Sequence, residues 1–329
     1  MRRITLVDVA NDAGVSRATA SMVIRGTGRV SNETRQRVRE SIDRLGYVYH
    51  RGAASLRTQR TGLIGLLTTD VANPFFASMT RAFEGAAAEH GHLTMMANTL
   101  DDPDRQSRLT QAMLEYPVEA FAYTPVAGGD LDPRFGSYSI PILAVTRRSS
   151  LPNIPYLGPD EIAAGWLAGE HLVNHHGYRR LAYLGGPIKA AGRKDRLEGV
   201  QQAIRACPDA QLVADIPGVT DTPTAIDLAA RLLASGVTFD AVICHSDVVA
   251  FAILAALRQQ PSTGAVGVIG FDGLPESTLF WPPVTSVAVG PDVTGRKAAE
   301  WLVDALNGQA SYEIAPIPAS LQIRASCGC

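Results

Sequence analysis

The chain has 329 residues, is 46% hydrophobic and has a mean hydropathy of +0.04, so it can bury the cores of two or three domains. It contains no run of 18 apolar residues and no apolar segment after its basic N-terminus; we therefore expect neither a membrane span nor a secretory signal, and predict a cytoplasmic location. Its four cysteines are not spaced as a disulfide framework, which fits a reducing compartment.

The net charge of −2 conceals an asymmetry along the chain. Residues 1–60 carry a formal charge of +7, and the remaining residues carry −9. A small basic segment attached to a mildly acidic body is typical of a nucleic-acid-binding module joined to a second functional domain. A solvated basic surface is the simpler alternative.

Three helices are predicted in residues 1–46. Each follows a hydroxyl residue that can cap it, and these caps are Thr5, Ser16 and Ser31. The first helix begins at Leu6 and ends near Gly14, and the second runs from Arg17 to about Arg25. Two helices joined by a tight glycine-containing turn, with a third helix behind them, predict a helix-turn-helix headpiece.

The second helix of such a headpiece enters the major groove with its first residues at the base edges. Arg17, Ala18 and Met22 would face the groove, where Arg17 can donate two hydrogen bonds to guanine and Met22 can contact a thymine methyl. Hydroxyls can position the protein on phosphates, or can instead make caps and local backbone bonds. The candidate DNA-contacting residues of the headpiece are Thr5, Ser16, Arg17, Ala18, Thr19, Ser21, Met22, Arg25, Ser31 and Tyr47.

The segment TLVDVANDAGVSRATASMVIRGTGRVSNETRQRVRESIDRLGY resembles the headpiece of the lac repressor / galactose repressor (LacI/GalR) family of bacterial transcription regulators, without a gap. The resemblance implies that residues 47–60 are a hinge helix in which Leu56, with Ala53 beside it, wedges into the minor groove of the operator. An apolar wedge of this kind unstacks a base step and kinks the duplex. A flexible linker is the alternative, and Gly52 lowers the helix propensity of the segment.

Apolar runs alternate with helical patterns through residues 61–329. Strands are predicted at TGLIGLL, HLTMMAN, AFAYTP, IPILAVT, RRLAYLGG, AQLVADI, AVICHS and AVGVIGF, with amphipathic helices between most of them. This alternation predicts an α/β fold with parallel, doubly wound sheets, and two such series predict two lobes. Ligands bind beyond the carboxyl ends of parallel strands, so the default pocket is the cleft between the lobes.

This region resembles, more loosely, the sugar-binding core that the same family shares with periplasmic sugar-binding proteins, through NPFF (73–76), RLEG (196–199) and IGFDG (269–273). The resemblance implies an N-lobe of about 61–158 plus 291–318 and a C-lobe of about 159–290 plus 319–329. We expect Asp247 to cap its helix and not to contact ligand. The candidate ligand-binding residues are Asn73, Phe75, Phe76, Arg147, Arg196, Ser246 and Asp272.

Some polar positions of sugar-binding relatives are replaced here. Thr146 stands where an aspartate is frequent, while Arg147, Arg148 and Arg193 crowd the same region. The sequence therefore predicts a carbohydrate effector with an acidic group or fewer hydroxyls, with a neutral pentose or hexose as the alternative.

The combined interpretation is a ligand-responsive regulator, most often a repressor in this family, that binds a palindromic operator in double-stranded DNA as a homodimer. A periplasmic sugar receptor would need a secretory signal and no basic headpiece. The sequence lacks the common phosphate-loop, dinucleotide, metalloprotease and serine-hydrolase motifs, so we expect no catalytic residues and no enzyme activity.

We also expect no cofactor and no metal ion. His175 and His176 are interpreted as a solvated helix end. Cys327 and Cys329 leave a metal site or a strained disulfide open, but a frayed tail is the simpler interpretation.

Overall fold

The computed structural model describes residues 4–48, 60–129, 131–132, 140–260 and 266–329. The chain divides into two compact units, residues 1–61 and residues 62–329, which we call the headpiece and the core. None of the helices in the described ranges is both long and apolar enough to span a bilayer.

The headpiece contains α1 (Leu6–Asp12), α2 (Arg17–Arg25) and α3 (Asn32–Leu45). The predicted caps are confirmed, because the side chains of Thr5, Ser16 and Ser31 each accept a hydrogen bond from the backbone N–H three residues ahead. Gly14, Gly26 and Gly46 have φ values between 61° and 67°, the left-handed conformation that ends helices.

A small apolar core holds the three headpiece helices together. Val9, Ala20 and Val38, one from each helix, are fully buried. The Ser41 hydroxyl donates to the Val9 carbonyl at 3.2 Å, which satisfies a polar group inside this core. The helix-turn-helix arrangement is therefore fixed by packing as well as by its caps.

The core alternates strands and helices, and its elements fall into two lobes. The strands are β1 (Leu63–Thr68), β2 (Leu93–Asn98), β3 (Ala120–Tyr123), β4 (Ile142–Val145), β5 (Tyr156–Leu157), β6 (Arg180–Leu184), β7 (Gln211–Ile216), β8 (Ala241–Cys244), β9 (Gly267–Phe271), β10 (Thr285–Ala288) and β11 (Ser320–Gln322). The helices are α4 (Pro74–Glu89), α5 (Pro103–Glu115), α6 (Glu161–Glu170), α7 (Ala191–Arg205), α8 (Thr222–Ala234), α9 (Asp247–Arg258) and α10 (Pro291–Leu306).

Each lobe is built on one sheet. The first sheet has the order β2-β1-β3-β4-β5 and is wholly parallel. The second has the order β11-β10-β9-β8-β6-β7 and is parallel except for β11. Helix α10 packs into the apolar core of the first lobe, through Ala298, Ala299 and Leu302. The predicted α/β fold with two doubly wound lobes is confirmed.

Glycines bring two helices of the second lobe into backbone contact. A Cβ atom on Gly165 in α6 would overlap the carbonyl oxygen of Arg196 in α7, and one on Gly199 would overlap that of Ile162. Side chains are therefore excluded from this crossing, and α6 and α7 are held as a close pair.

Three segments that cross between the lobes lie side by side. Ile317, which is 2% exposed, donates its N–H to Gly158 at 2.8 Å and accepts from Asp160 at 3.1 Å. The third crossing passes at Gly290, where a Cβ atom would lie 3.1 Å from the Ile317 side chain. We call this group of three segments the crossover.

The expectation of a frayed tail is wrong. Residues Ala325–Cys327 form a 3-10 turn in which Ser326 and Cys327 are buried. The Ser326 hydroxyl accepts from the Thr285 N–H at 2.8 Å and donates to the Val268 carbonyl at 2.7 Å. Hydrogen bonds to two strands of the second sheet therefore hold this segment in place.

Candidate functional site

The exposed face of α2 begins with Arg17 and Ala18 and ends with Arg25. Ala20 and Val23 are buried on the opposite face, as the helical period requires. Met22 is half-buried, and its sulfur packs so closely on Gly28 that a Cβ atom there would lie 2.6 Å from it. Arg17 is thus the predicted base-reading side chain that the structure leaves fully on the surface.

Several predicted phosphate-contacting hydroxyls also serve the helix ends. The Ser16 hydroxyl accepts from the Thr19 N–H at 3.0 Å and lies 2.9 Å from the Thr19 hydroxyl. Thr5 is held in the same way by Asp8. The local interpretation of these hydroxyls is therefore correct, although Thr5, Ser16 and Ser31 remain exposed at their helix ends.

Other headpiece candidates have different positions. Ser21 is half-buried and its carbonyl accepts from Arg25 Nε at 3.2 Å. Tyr47 is half-buried and packs on the headpiece core. The predicted minor-groove residues Ala53 and Leu56 lie outside the described residues.

All seven predicted ligand residues line one continuous cleft in the core. An outer cavity of about 460 Å³ and an inner one of about 80 Å³ share Asn73, Phe76, Arg147, Pro187 and Thr220. The inner cavity is also lined by Phe75, Arg196, Ser246 and Asp272. Six of the seven follow strands β1, β4, β8 and β9 or lie at the start of the helices after them, and Arg196 lies in α7, the helix after β6. This is the expected position in a doubly wound fold.

Backbone strain is concentrated at this cleft. Five non-glycine residues of the described ranges have positive φ, and four of them line it, namely Leu100, Asp101, Thr146 and Asp272. Thr146 is β-branched and has φ of 61°, a conformation that costs roughly 1–3 kcal/mol. Strain maintained by the surrounding fold is characteristic of binding sites.

The arginines of the cleft are each paired with a carboxylate. Arg147 donates to both oxygens of Asp101 at 2.5 and 3.3 Å, and to the Pro125 carbonyl at 3.1 Å. Arg193 forms an ion pair with Asp215. The guanidinium groups of Arg147 and Arg193 are therefore paired before any ligand arrives. Arg148, the third arginine that the sequence placed in this region, has its guanidinium 4.2 Å from the centre of the Tyr156 ring.

Arg196, like Arg193, is buried, and it makes contacts on several sides. Its Nε donates to Glu161 at 2.7 Å, its NH1 donates to the His245 carbonyl at 2.6 Å, and its guanidinium lies 4.2 Å from the Phe271 ring centre. Burial raises the pKa of Glu161, and the Arg196 charge opposes that rise. Arg196 therefore holds Glu161, the His245 carbonyl and Phe271 together and also lines the inner cavity.

His245 presents a neutral ring to the inner cavity. Burial, followed by the charges of Arg196, Arg193 and Arg147, holds its pKa well below the usual value. Burial also raises the pKa of Tyr183, whose hydroxyl lies 2.8 Å from His245 Nδ1 and can donate to it. The neutral histidine then carries its proton on Nε2, which makes it a hydrogen-bond donor.

Asp272 is a buried acid of the inner cavity. Burial and the neighbouring Asp247 raise the pKa of Asp272 well above its usual value, although Arg196 opposes the rise. A protonated carboxyl can both donate and accept, which suits a hydroxyl ligand.

The helix after β8 is capped differently from the prediction. Ser246 is the cap, because its hydroxyl accepts from the Val249 N–H at 3.3 Å. Asp247 is instead fully buried, and accepts from the Leu274 N–H at 2.7 Å and the Ser277 hydroxyl at 2.8 Å. The expected Asp247 cap is wrong because this carboxylate organises the loop after β9.

Asn73 and the two phenylalanines form one wall of the cleft. Asn73 caps α4 through the Phe75 N–H and donates to the Thr220 hydroxyl at 3.3 Å. Phe75 and Phe76 stand edge to face with their ring centres 5.0 Å apart. Phe76 lines both cavities, so it offers an aromatic surface on which the apolar face of a sugar ring can pack.

Sequence reasoning missed several lining residues, notably Asp101, Glu161, Thr220 and His245. His245 lies near the end of the predicted strand AVICHS and directly after the observed β8, and its position at the carboxyl end of a parallel strand could have identified it. Asp101 and Glu161 gave no local signal, because their arginine partners lie 46 and 35 residues away in the chain.

Comparison with known proteins assigns both units. Residues 5–49 match the family described as bacterial regulatory proteins, lacI family. Residues 61–325 match the family of periplasmic binding proteins and the sugar-binding domain of the LacI family. The chain belongs to the LacI family. It is a DNA-binding transcription regulator with an effector-binding core, as the sequence predicts.

Relatives of this LacI-family protein match it over most of its length. The maltose regulon regulatory protein MalI of Escherichia coli (strain K12) is 30% identical over 86% of this chain and 87% of its own. The lac repressor dimer bound to operator and an anti-inducer has the same fold, with a TM-score of 0.87, 22% identity and coverage of 99% of both chains. A complex of the transcriptional regulator CelR with cellobiose has a TM-score of 0.71 and 27% identity, covering 98% of this chain and 100% of that one.

Proposed function

We propose that this LacI-family regulator is a repressor that binds a palindromic operator as a homodimer and that its effector is an uncharged carbohydrate. The observation that carries the choice of effector is the pairing of the cleft arginines. Arg147, Arg193 and Arg196 face Asp101, Asp215 and Glu161, so an anionic ligand would have to compete with carboxylates already in place. A neutral polyol needs only donors, acceptors and an aromatic surface.

The cleft offers those three features. Asn73 and Asp272 can exchange hydrogen bonds with hydroxyls, His245 can donate from Nε2, and Phe76 can pack on a ring face. This replaces the sugar acid that the sequence favoured with the neutral sugar that it kept as the alternative. Relatives and neighbours support a carbohydrate, since one neighbouring structure is a cellobiose complex.

We propose a binding role for the cleft and no catalytic one. Asp101 and Glu161 are held by arginines and Asp272 is buried, so we assign these acids structural or hydrogen-bonding roles. The proposed location is the cytoplasm, where a regulator meets its operator.

Two exposed apolar side chains on an edge strand support self-association. Leu93 and Met96 of β2 are 65% and 41% exposed, and β2 is an edge of the first sheet. Two headpieces in one dimer match the two halves of a palindrome, so the operator symmetry follows from the protein symmetry.

Thermal-shift measurements with matched pairs of neutral sugars and their sugar acids test the effector. We expect stabilisation by at least one neutral sugar and a smaller response to its acid. Phe76→Leu should abolish that response, whereas the control Phe280→Leu, in an aromatic pair with Phe251 that lies outside the cleft residues, should retain it. A response to sugar acids alone would reject the neutral effector.

A mobility-shift assay with DNA flanking the protein's own coding region tests the regulator. We expect a complex that needs the palindrome, weakens with salt and changes with the effector. Binding that ignores the palindrome would contradict the proposed operator recognition.

A further inference from the structure

Four metal-ligating side chains from two distant parts of the sequence converge in the second lobe. His171 and His176 belong to the π-helical turn His171–His175 and the residue after it, and Cys327 and Cys329 belong to the final segment of the sequence. Their ligand atoms all lie within 4.8 Å of one another. We propose that these four residues form a structural zinc site of the Cys₂His₂ type.

Four of the six distances between the ligand atoms are close to those of tetrahedral zinc. The two Nε2 atoms of His171 and His176 are 3.2 Å apart, and Cys327 Sγ lies 3.4 Å from His171 Nε2. Cys329 Sγ lies 3.2 Å from His176 Nε2 and 3.7 Å from His171 Nε2. Tetrahedral zinc with ordinary bond lengths places N–N pairs about 3.3 Å apart and N–S pairs about 3.6 Å apart.

The backbone of the turn explains why both histidines point the same way. In an α-helix, residues five apart are rotated by about 140° and face different sides. Here the His176 N–H donates to the His171 carbonyl at 3.3 Å, the i to i+5 bond of a π-helix. This wider turn places His171 nearly above His176, so both rings reach one point.

Neighbouring side chains also contact Cys327 on the other side of the cluster. The Tyr178 hydroxyl donates to the Cys327 carbonyl at 3.2 Å. The Thr285 hydroxyl lies 2.8 Å from the Arg324 carbonyl and 3.1 Å from Cys327 Sγ, so its one proton can be donated to either acceptor. Such outer-shell donors orient and stabilise metal ligands. Cys327 and His171 are buried, whereas Cys329 is exposed, which leaves a route for the ion to enter.

The charge balance also favours a divalent ion. Zinc binding would convert the two thiols to thiolates with release of two protons, and the resulting complex with two neutral imidazoles carries no net charge. Thiolate and imidazole together are the donor set that zinc prefers over magnesium or calcium.

The position points to a structural role. Tyr178 precedes β6, so the cluster lies at the edge where the parallel strands begin, whereas the effector cleft lies where they end. Four protein ligands leave no open coordination position for a substrate. The ion would tie residues 325–329 to the π-helical turn and thereby stabilise the second lobe.

Cobalt titration of the full-length protein tests the site. The protein is reduced, stripped with a chelator and titrated with Co²⁺, which reports on geometry through its absorption. We expect one equivalent to give the intense visible bands of tetrahedral cobalt with a thiolate-to-cobalt band in the near ultraviolet, and zinc to displace both. Saturation without a thiolate band, or no binding at all, would overturn the proposal, as would a Cys327–Cys329 disulfide that persists after reduction.

Ligand variants and matched controls separate this site from adventitious binding. Cys329→Ser and His176→Asn should each weaken cobalt binding by more than the roughly 10- to 100-fold that loss of an outer-shell partner costs. Cys207→Ser, a thiol outside the cluster, and His175→Asn, the adjacent histidine, should bind as the wild type does. Equal loss in ligand variants and controls would reject the assignment.

Thermal unfolding of the same proteins gives a second readout. Because Cys329 is exposed, the stripped Cys329→Ser protein should unfold at the temperature of the stripped wild type. Zinc should then raise the unfolding temperature of the wild type and of Cys207→Ser but not that of Cys329→Ser. A zinc response that is the same in all three proteins would contradict a structural zinc at this site.

Discussion

Arginine has opposite roles in the two units of this protein. In the headpiece, Arg17 is exposed at the start of α2, and no ion pair involves it among the described residues. In the core, Arg196 is 5% exposed and bound to Glu161 and a carbonyl. The first side chain is available to another molecule, whereas the second is committed to the fold.

This difference in burial explains why a count of charges predicts a binding surface correctly in the headpiece but not in the cleft. An exposed arginine contributes its full charge to the surface field, so the +7 of residues 1–60 correctly indicates a nucleic-acid-binding module. A buried arginine is retained only with a partner, because desolvation of an isolated charge is too costly. Counting arginines near a cleft therefore overestimates its positive charge.

The largest expected effect comes from breaking the buried ion pair between Arg196 and Glu161. Glu161→Ala leaves the Arg196 guanidinium buried without its carboxylate, which should lower the free energy of unfolding by about 3–5 kcal/mol. Asp227→Ala removes a carboxylate from an exposed pair with Arg231 and should cost less than about 0.5 kcal/mol. Urea denaturation followed by circular dichroism compares them; similar losses would show that burial does not distinguish the pairs.

A second test measures how the stability contributed by Asp247, a buried acid of the core, depends on pH. Burial raises the pKa of Asp247 to about 6 from its usual 3.8, so the folded state favours the protonated form. The resulting stabilisation is complete below about pH 4 and is lost as the pH rises through about 6. Asp247→Asn cannot titrate, so its stability should fall less than that of the wild type over this interval. Asp227→Asn, an exposed control, should follow the wild type, and an unchanged pH profile in Asp247→Asn would refute the assignment.

A third test removes the exposed arginine. Arg17→Ala should weaken operator binding by about 1–3 kcal/mol and relax the base preference at one position of each half-site. Arg231→Ala, an exposed arginine of the core, should leave binding unchanged. Binding-site selection with both variants measures affinity and preference together. An unaltered preference in Arg17→Ala would show that another residue reads that base.

The smallest expected effect concerns a helix cap. Ser16→Ala removes the hydroxyl that accepts from the Thr19 N–H and should destabilise the headpiece by about 1 kcal/mol. Ser21→Ala, inside the same helix, should be nearly neutral. Amide hydrogen exchange of residues 17–25 in the full chain measures both, and equal protection in the two variants would contradict the capping role.

Sequence predicted the headpiece almost completely because its signals are local. A cap and the N–H that it satisfies are three residues apart, and a terminating glycine follows its own helix. The strand and helix alternation likewise indicated the two lobes. The seven cleft residues were placed together by resemblance, since no spacing in the chain brings Asn73 beside Asp272.

Other features needed the folded chain. The bounds of helix α6 were not predicted, although a helix was expected before His175, because EIAAGWLAGE is apolar or small on most sides. Its two glycines lower helix propensity and serve close packing against α7. The acids opposite Arg147 and Arg196 follow from tertiary packing. The histidines at 171 and 176 have α-helical spacing for opposite faces, and only the π-helical turn aligns them.

The crossover around Ile317 has a mechanical consequence for signalling. Gly158, Asp160 and Gly290 contact this one residue from the two other segments of the crossover, so the three connections cannot twist independently. Rotation of one lobe against the other is therefore least costly about an axis through this point, with each lobe behaving as a lever. A small angular change at Ile317 becomes a larger displacement at the far ends of the lobes.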